Sequence, residues 1–191
     1  MNSLKNNDEG FTGLEAAIVL IAFVVVAAVF SYVVLGAGFF TTQKAQETVH
    51  TSVGQATSAV ELSGPVMVQA NGASNSVKNV SFYLQLAAGG NAVDISKIGY
   101  TVSTSKMVKT VQGDSPYVAI SWVKQISSGN LLDPREMVLI DLDTAGMGFT
   151  SDYLAVNDKM IVEVKPPIGA ALPIQRTIPA ALNTPNWYEV Y

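Results

Sequence analysis

The sequence predicts an α+β protein in which a long N-terminal hydrophobic α-helix is followed by an antiparallel immunoglobulin-like β-sandwich. Two observations support this prediction. Residues 11–40 are almost wholly apolar, whereas the rest of the 191-residue chain is rich in Val, Thr, Ser and Gly, with apolar residues at alternate positions. A chain of this length holds one domain of ordinary size and an appended segment, and the change of composition indicates where the two meet.

Composition excludes several classes of function. The net charge is only −4 and the 11 basic residues form no cluster, so no surface for nucleic acid is indicated. The absence of cysteine excludes disulfides and thiolate sites, and the single histidine, His50, is too few for a multi-histidine metal site. No phosphate-binding glycine loop follows a strand, and no set of catalytic side chains converges. We therefore expect no cofactor and no enzyme activity.

The first half of the predicted helix is a candidate membrane span. No charged residue lies between Glu15 and Lys44, and this run exceeds the about 20 residues that a helix needs to cross ~30 Å of hydrocarbon. It is also longer than the apolar core of an ordinary secretory signal peptide. We expect the run to be kept in the mature protein, both as a temporary membrane anchor and as a packing surface in an assembly.

The second half of the predicted helix is amphipathic. Apolar residues recur there every three or four positions and form one face, which is expected to pack against the domain that follows. The members of this face are Ala45, Val49, Val53, Ala56 and Val60. Gly64-Pro65 is a stop signal. The expected organisation is a leader over residues 1–10, the helix over 11–62 and the sandwich over 63–191.

Short runs with a period of two follow the helix. Turn clusters separate them, such as Gly113-Asp114-Ser115-Pro116 and Pro166-Pro167. This spacing predicts a two-sheet antiparallel sandwich of seven or eight strands. The expected strands lie at residues 66–68, 79–86, 98–102, 118–122, 138–142, 160–164 and 186–191. Trp187, in the last strand, is expected to seal one end of the core.

Glu15 is an isolated carboxylate at the entrance of the apolar run. In lipid or in a bundle of helices it would cost several kcal/mol unless it is paired or protonated. If the chain is cut after Gly10, the new α-amino group of Phe11 lies four residues before Glu15 and is able to neutralise it, in the same or an adjacent subunit. The alternative is that Glu15 lies at the level of the lipid headgroups, where a carboxylate costs little.

The sequence holds two weaker candidate sites. Asn79-Val80-Ser81 is its only N-glycosylation sequon, and Asn79 is expected on an outer strand face; the alternative is an unmodified polar residue. Four carboxylates are weak candidates for a hard cation, although they lack the spacing of a calcium loop and such residues are common on exposed faces. They are Asp141 and Asp143, with Asp133 and Asp152. No metal site is therefore expected.

The N-terminal residues carry a family resemblance. A leader ending in Gly10, then Phe11, then Glu15 and an apolar helix resemble a class III signal sequence of the type IV pilin superfamily. More narrowly, "FTGLEAAIVLIAFVVVAAVFSYVVLGAGFFTTQKAQE" resembles archaellin, the archaeal flagellin. The resemblance is specific over residues 10–47. Family leaders commonly place basic residues immediately before the glycine, whereas this one has Asp8-Glu9 and only Lys5 upstream.

The resemblance implies a preprotein that a prepilin-peptidase-like membrane protease cleaves after Gly10, and that then passes from the membrane into an extracellular filament on the archaeal cell surface. Such filaments have a core of packed N-terminal helices and a shell of immunoglobulin-like domains, often N-glycosylated, and an ATP-driven motor in the cell envelope rotates them. The expected partners are further copies of the chain, other archaellins, the signal protease, the membrane before assembly, and the motor and assembly machinery.

The helix residues expected to contribute to assembly are Glu15, Ile18, Leu20, Phe23, Val26, Phe30, Tyr32, Phe39 and Phe40. Two alternatives remain open at this point. An adhesive archaeal type IV pilus subunit would share the leader and the helix but would not rotate. A bitopic membrane protein with a β-sandwich ectodomain would need no cleavage at Gly10 and would stay in the membrane.

Overall fold

The computed structural model describes residues 5–71, 75–87, 89–183 and 186–191, with side chains described from residue 13 onward except at 56 and 57. The chain divides into two compact units, Met1–His50 and Thr51–Tyr191. The first unit is helical, and the second contains every strand of the described chain. The prediction of a long apolar helix followed by an antiparallel β-sandwich is confirmed.

The helix α1 spans Lys5–Thr57. Its sequence contains no proline, and alanine, leucine and other helix-compatible residues offset its few glycines. The predicted end at residue 62 is wrong, because Val60–Leu62 forms a strand instead. Val60 pairs with Leu86 in this strand and is buried, so long-range pairing decides the boundary ahead of the local stop signal.

Within the described residues, twelve strands follow α1, and every pair among them is antiparallel. They are β1 (Val60–Leu62), β2 (Val66–Asn71), β3 (Ser76–Leu86), β4 (Val93–Asp94), β5 (Gly99–Ser103), β6 (Val108–Gln112), β7 (Val118–Lys124), β8 (Leu131–Leu132), β9 (Met137–Asp143), β10 (Lys159–Lys165), β11 (Leu172–Thr177) and β12 (Trp187–Val190). A short 3-10 turn, Ile95–Lys97, follows β4.

The strands form two larger sheets and a small ribbon. The six-stranded sheet has the order β12-β2-β3-β9-β7, with β1 also paired to β3. The four-stranded sheet has the order β11-β10-β5-β6, and β4 pairs with β8. The inner faces of both larger sheets contribute to one buried core, and the rings of Phe82 in β3 and Tyr100 in β5 lie 6.3 Å apart across it. This is the arrangement of a sandwich.

The predicted count of seven or eight strands is too low. The missed strands are β1, β4, β6, β8 and β11, and two of these contain only two residues each. β6 and β11 lie at the two edges of the four-stranded sheet. β6 is mostly exposed and so lacks a clean alternation of apolar and polar residues, whereas β11 buries only Ile174 and contains a proline, which weakens its strand pattern.

The residue after α1 is held by a glycine in a distant loop. Gly169 has a φ of +113°, and a Cβ atom on it would come within 2.4 Å of the carbonyl oxygen of Ser58. Any other residue would therefore meet both backbone strain and a collision with the main chain. This close approach fixes the loop after β10 against the point where the chain leaves α1.

A buried carboxylate organises the loops around β8. Glu136 is almost fully buried and accepts hydrogen bonds from the backbone N–H groups of Ile126, Ser127 and Asp133, the last two at 2.7 and 2.9 Å. Desolvation acts to raise the pKa of Glu136, but the hydrogen bonds from the backbone of Asp133, Ser127 and Ile126 outweigh it and hold the pKa below its ordinary value. The charged form of Glu136 therefore stabilises the folded state.

We expect Glu136→Gln to lower the free energy of unfolding by about 2 kcal/mol at neutral pH, because backbone donors lose their charged acceptor. The folded-state pKa is depressed, so this contribution is present above the unfolded-state pKa and is lost as the pH falls through the folded-state pKa. The difference in the free energy of unfolding between wild type and Glu136→Gln should therefore become smaller in acid. Urea unfolding at several pH values measures it, with Asp114→Asn at an exposed turn as the control. Equal stability of wild type and Glu136→Gln at neutral pH would contradict this.

The hydroxyl of Tyr100 is buried, and it finds no hydrogen-bond partner among the described residues. Burial also raises the pKa of this phenol. We expect Tyr100→Phe to leave the stability unchanged or to raise it by about 1 kcal/mol, because the substitution removes an unsatisfied group and keeps the ring.

Thermal unfolding of the detergent-solubilised chain tests the prediction for Tyr100. The matched control is Tyr188→Phe, since the Tyr188 hydroxyl accepts from the N–H of Asn183 at 2.8 Å and donates to its carbonyl at 3.1 Å. The control should lose about 1 kcal/mol. A loss of the same size for Tyr100→Phe would mean that its hydroxyl is satisfied after all.

Candidate assembly surface

The first half of α1 is an exposed apolar surface. From Leu14 to Phe40, its large apolar side chains are between 52% (Val34) and 81% (Tyr32) exposed. We call residues 14–40 the apolar surface of α1. All of the residues predicted for assembly lie on it and are exposed, including Glu15. The apolar side chains lie on every side of the helix rather than along one stripe.

An apolar surface of this extent does not suit a subunit alone in water. Soluble monomers rarely expose contiguous apolar patches larger than a few hundred Å2, and a helix that is apolar all round is normally buried in protein or in a membrane. Within the described residues, one helical stretch, Gly13–Gln55, has the length and composition to cross a bilayer. The surface therefore needs either lipid or other apolar chains around it.

The two threonines that follow the apolar surface form hydrogen bonds to carbonyl groups of their own helix. The hydroxyl of Thr41 donates to the carbonyl of Ala37, and that of Thr42 donates to the carbonyl of Gly38 at 2.6 Å. Charge first reappears at Lys44, which forms an exposed ion pair with Glu47 at 2.6 Å. The uncharged segment thus ends at Lys44, where exposed charged side chains begin.

Two glycines interrupt this surface without a local reason. A Cβ atom on Gly36 or on Gly38 would meet nothing within 4 Å in this chain. Each glycine costs a helix about 1 kcal/mol relative to alanine. No contact in the described part of the chain therefore requires a glycine at either position.

The predicted processing residues lie within α1. The backbone of Gly10 and Phe11 is helical, and the helix continues upstream to Lys5. Phe11 lies four residues before Glu15, which is one turn of the helix. The side chain of Phe11 lies outside the described residues. The bond expected to be cut is thus part of the helix in the uncut chain.

The amphipathic face predicted for the second half of the helix does not pack as expected. Val49 is 60% exposed and Val53 is 55% exposed, so the expected core packing is wrong at these two positions. Val60 is buried, but it belongs to β1 rather than to α1. The side chain of Ala56 lies outside the described residues.

The sequon and two of the four candidate cation ligands, Asp141 and Asp143, lie on the outer face of the six-stranded sheet, whereas Asp133 and Asp152 lie in the segments that precede β9 and β10. Asn79 is half-buried in the middle of β3, and its Nδ2 donates to Oδ2 of Asp141 at 3.3 Å. Asp143 pairs across from Asn79 and accepts a hydrogen bond from the N–H of Gly146 at 2.8 Å. Among the described residues, no three His, Cys, Asp or Glu side chains meet in a way that would hold a metal ion. Glycosylation at Asn79 stays a prediction.

Trp187 lies on this outer face, so the expectation that it seals the core is wrong. It is 40% exposed and borders a groove of about 220 Å3 that four strands build. The groove is lined by Met67, Ser81, Tyr83, Leu139, Asp141 and Trp187. The sequence pattern does not reveal this groove, because its residues are far apart in the chain and only the strand register brings them together.

The chain matches the family model of the archaeal-type flagellins over residues 10–176. It is also 45% identical, over 200 aligned positions that cover 96% of each chain, to "Probable flagellin 1" of Archaeoglobus fulgidus. The chain belongs to the archaeal-type flagellin family. This flagellin resembles the solved archaeal flagellum of Methanospirillum hungatei strain JF1, with a TM-score of 0.70 and 34% identity over 93% of this chain and 98% of that one.

A second solved structure shares only the fold. The archaeal flagellin FlaB1 from Methanocaldococcus jannaschii matches with a TM-score of 0.58 and 11% identity, over 69% of this chain and 95% of that one. The family and the solved filament agree with the geometry of α1, whose exposed surface requires partners. This flagellin is a structural subunit of an archaeal flagellum filament.

Proposed function

We propose that this flagellin polymerises through the apolar surface of α1, so that the helices form the core of an extracellular filament and the sandwiches form its outer shell. The filament is rotated from the cell envelope and swims the cell, and the chain has no enzyme activity. One observation carries the proposal: every large apolar side chain from Leu14 to Phe40 is at least half exposed in the single subunit.

The energetics favour burial of this surface but do not choose its surroundings. Removing on the order of 1,500 Å2 of apolar surface from water gains tens of kcal/mol gross at about 25 cal/mol per Å2, before ordering and association costs. Lipid tails satisfy the same side chains equally well. The precursor is therefore held in the membrane by α1 before assembly, and its transfer into the filament depends on interactions that lipid does not offer.

Close packing of helices is one such interaction. Gly36 and Gly38 leave open space beside the helix, and nothing in the described chain uses it. Small residues let two helix backbones approach closely in an apolar medium. A neighbouring helix at this point accounts for two residues that otherwise only destabilise α1.

The pairing of Glu15 is a second such interaction. We propose that the prepilin-peptidase-like protease cuts after Gly10, which is also where the family match begins. The new α-amino group of Phe11 then lies one turn from Glu15 and neutralises it in the same or a neighbouring subunit. Gly10 weakens the helix at the bond to be cut, and helix ends fray readily, so the protease can reach an extended chain there.

Cleavage after Gly10 predicts the N-terminus of the assembled subunit. Filaments sheared from the cells should contain a polypeptide that begins at Phe11, because the leader over residues 1–10 is removed before assembly. Mass spectrometry of the intact chain and of its N-terminal peptide measures this. The membrane fraction is the matched control, and it should hold some uncut chain beginning at Met1. Filaments built from the uncut chain, or uncut chain confined to the membrane with no filaments, would refute the proposal. The same spectra would reveal a glycan as excess mass on the Asn79 peptide.

The pairing of Glu15 predicts the effect of removing its carboxylate. Glu15→Ala should lower the yield of sheared filaments at least about tenfold, because a lost buried pair of this kind costs more than 1.4 kcal/mol per subunit. The amount of chain inserted in the membrane should stay normal. Glu47→Ala is the control, since this carboxylate lies on the same helix in an exposed ion pair with Lys44, where little is lost. A normal filament yield for Glu15→Ala would overturn the pairing.

A further inference from the structure

Arg135 occupies a conformation that normally belongs to glycine. It follows Pro134 in a four-residue turn that the N–H of Glu136 closes on the carbonyl of Asp133 at 3.1 Å, and its φ is +74°. A turn with proline at its second position and positive φ at its third strongly favours glycine or asparagine there. The two other non-glycine residues with positive φ are indeed Asn75 and Asn157, within the described part of the chain. The arginine side chain is thus retained at a cost in backbone strain.

Hydrogen bonds hold the backbone of the turn that carries Arg135, and the guanidinium group of Arg135 has no partner in the described residues. The buried carboxylate of Glu136, the last residue of the turn, accepts hydrogen bonds from the N–H of Asp133, the first residue of the turn, and from the N–H of Ser127 in the preceding loop. Arg135 itself is exposed, and in the described residues its side chain makes no hydrogen bond or ion pair. By contrast, Arg176 donates to the carbonyl of Gln175 at 2.8 Å. Arg135 is a positively charged side chain presented on a fixed support.

The groove on the outer face of the six-stranded sheet contains a carboxylate, whose charge is opposite to that of Arg135. Asp141 lines it together with the aromatic side chains of Tyr83 and Trp187 and the apolar side chains of Met67 and Leu139. The Oδ1 atom of Asp141 is buried and has no donor within the described residues. Desolvation raises the pKa of Asp141, while hydrogen bonds from Asn79 and Ser81 offset only part of that effect. Nearby Lys78 lowers the pKa of Asp141 and nearby Asp143 raises it, and the pKa stays above its ordinary value, so the positive charge of Lys78 compensates the burial of this carboxylate only in part.

We propose that Arg135 of one subunit enters the groove of a neighbouring copy of this chain and pairs with Asp141 there. The two features match in charge and in chemistry. A guanidinium forms charge-assisted hydrogen bonds with a carboxylate, stacks on aromatic faces and packs its aliphatic stem on apolar side chains. Trp187 and Tyr83 supply the faces, and Met67 and Leu139 supply the apolar wall.

The symmetry of a filament requires a contact of this type. A helical polymer is built by heterologous contacts, in which one patch of a subunit meets a different, complementary patch of the next. Arg135 precedes β9, whereas Asp141 lies near the end of β9, so they belong to different patches. This inference rests on the proposed polymerisation of the chain, and it adds a contact between sandwiches to the contact between helices.

Tryptophan fluorescence tests whether the groove is covered. The chain has two tryptophans, and Trp122 packs against the core, so the difference between wild type and Trp187→Phe isolates the emission of Trp187. Acrylamide should quench Trp187 several-fold less in sheared filaments than in detergent-extracted full-length subunits. Equal quenching in filaments and subunits would overturn the contact. Failure of the wild type to give filaments would instead contradict the proposed function.

Substitutions test the occupant of the groove. Arg135→Gly removes the side chain and relieves the strained φ, so the extracted subunit should unfold at the same or a higher temperature, while its filaments should dissociate several degrees lower. Asp141→Asn should weaken filaments to a similar degree, and the double variant should be no weaker than either single variant. Lys109→Gln and Asp114→Asn, at exposed positions elsewhere, are the charge-matched controls. Additive losses in the double variant, or protection of Trp187 that persists in Arg135→Gly, would overturn the assignment of Arg135.

Discussion

The exposed apolar surface of α1 is the constraint on which the rest of this flagellin depends. Water does not tolerate it, so in every stable state of the subunit it lies against lipid or against other apolar chains. That requirement explains why no charge lies between Glu15 and Lys44, and why the hydroxyls of Thr41 and Thr42 turn back onto the helix carbonyls. A polar group on this surface must be satisfied within its own helix or be paired with another chain.

The sandwich is independent of that surface. Its core residues all lie between Val60 and Val190, and the two larger sheets close over them without help from residues 14–40. The core of the sandwich therefore does not depend on what surrounds residues 14–40.

Two carboxylates, the buried Glu136 and the half-buried Asp141, illustrate how burial is used differently within one domain. Glu136 accepts hydrogen bonds from several backbone donors, so its charge stabilises a turn and the loops beside it. Asp141 has fewer donors than its burial demands, and its surroundings raise its pKa. The carboxylate of Glu136 finds its hydrogen-bond donors within the chain. The carboxylate of Asp141 keeps one buried oxygen without a donor in the described residues, and the proposed contact with Arg135 of a neighbouring copy supplies that donor.

The sequence by itself determined the helix, most of the long strands and the apolar surface of α1. Each of these is a run of consecutive residues, so hydrophobic periodicity and length reveal it, as for β3 and β9. Only the tertiary structure decided the end of α1, the edge strands β6 and β11, and the position of Trp187. Those depend on pairing between distant residues, such as Val60 with Leu86 and Trp187 with Gln69, and local pattern carries no record of such pairs.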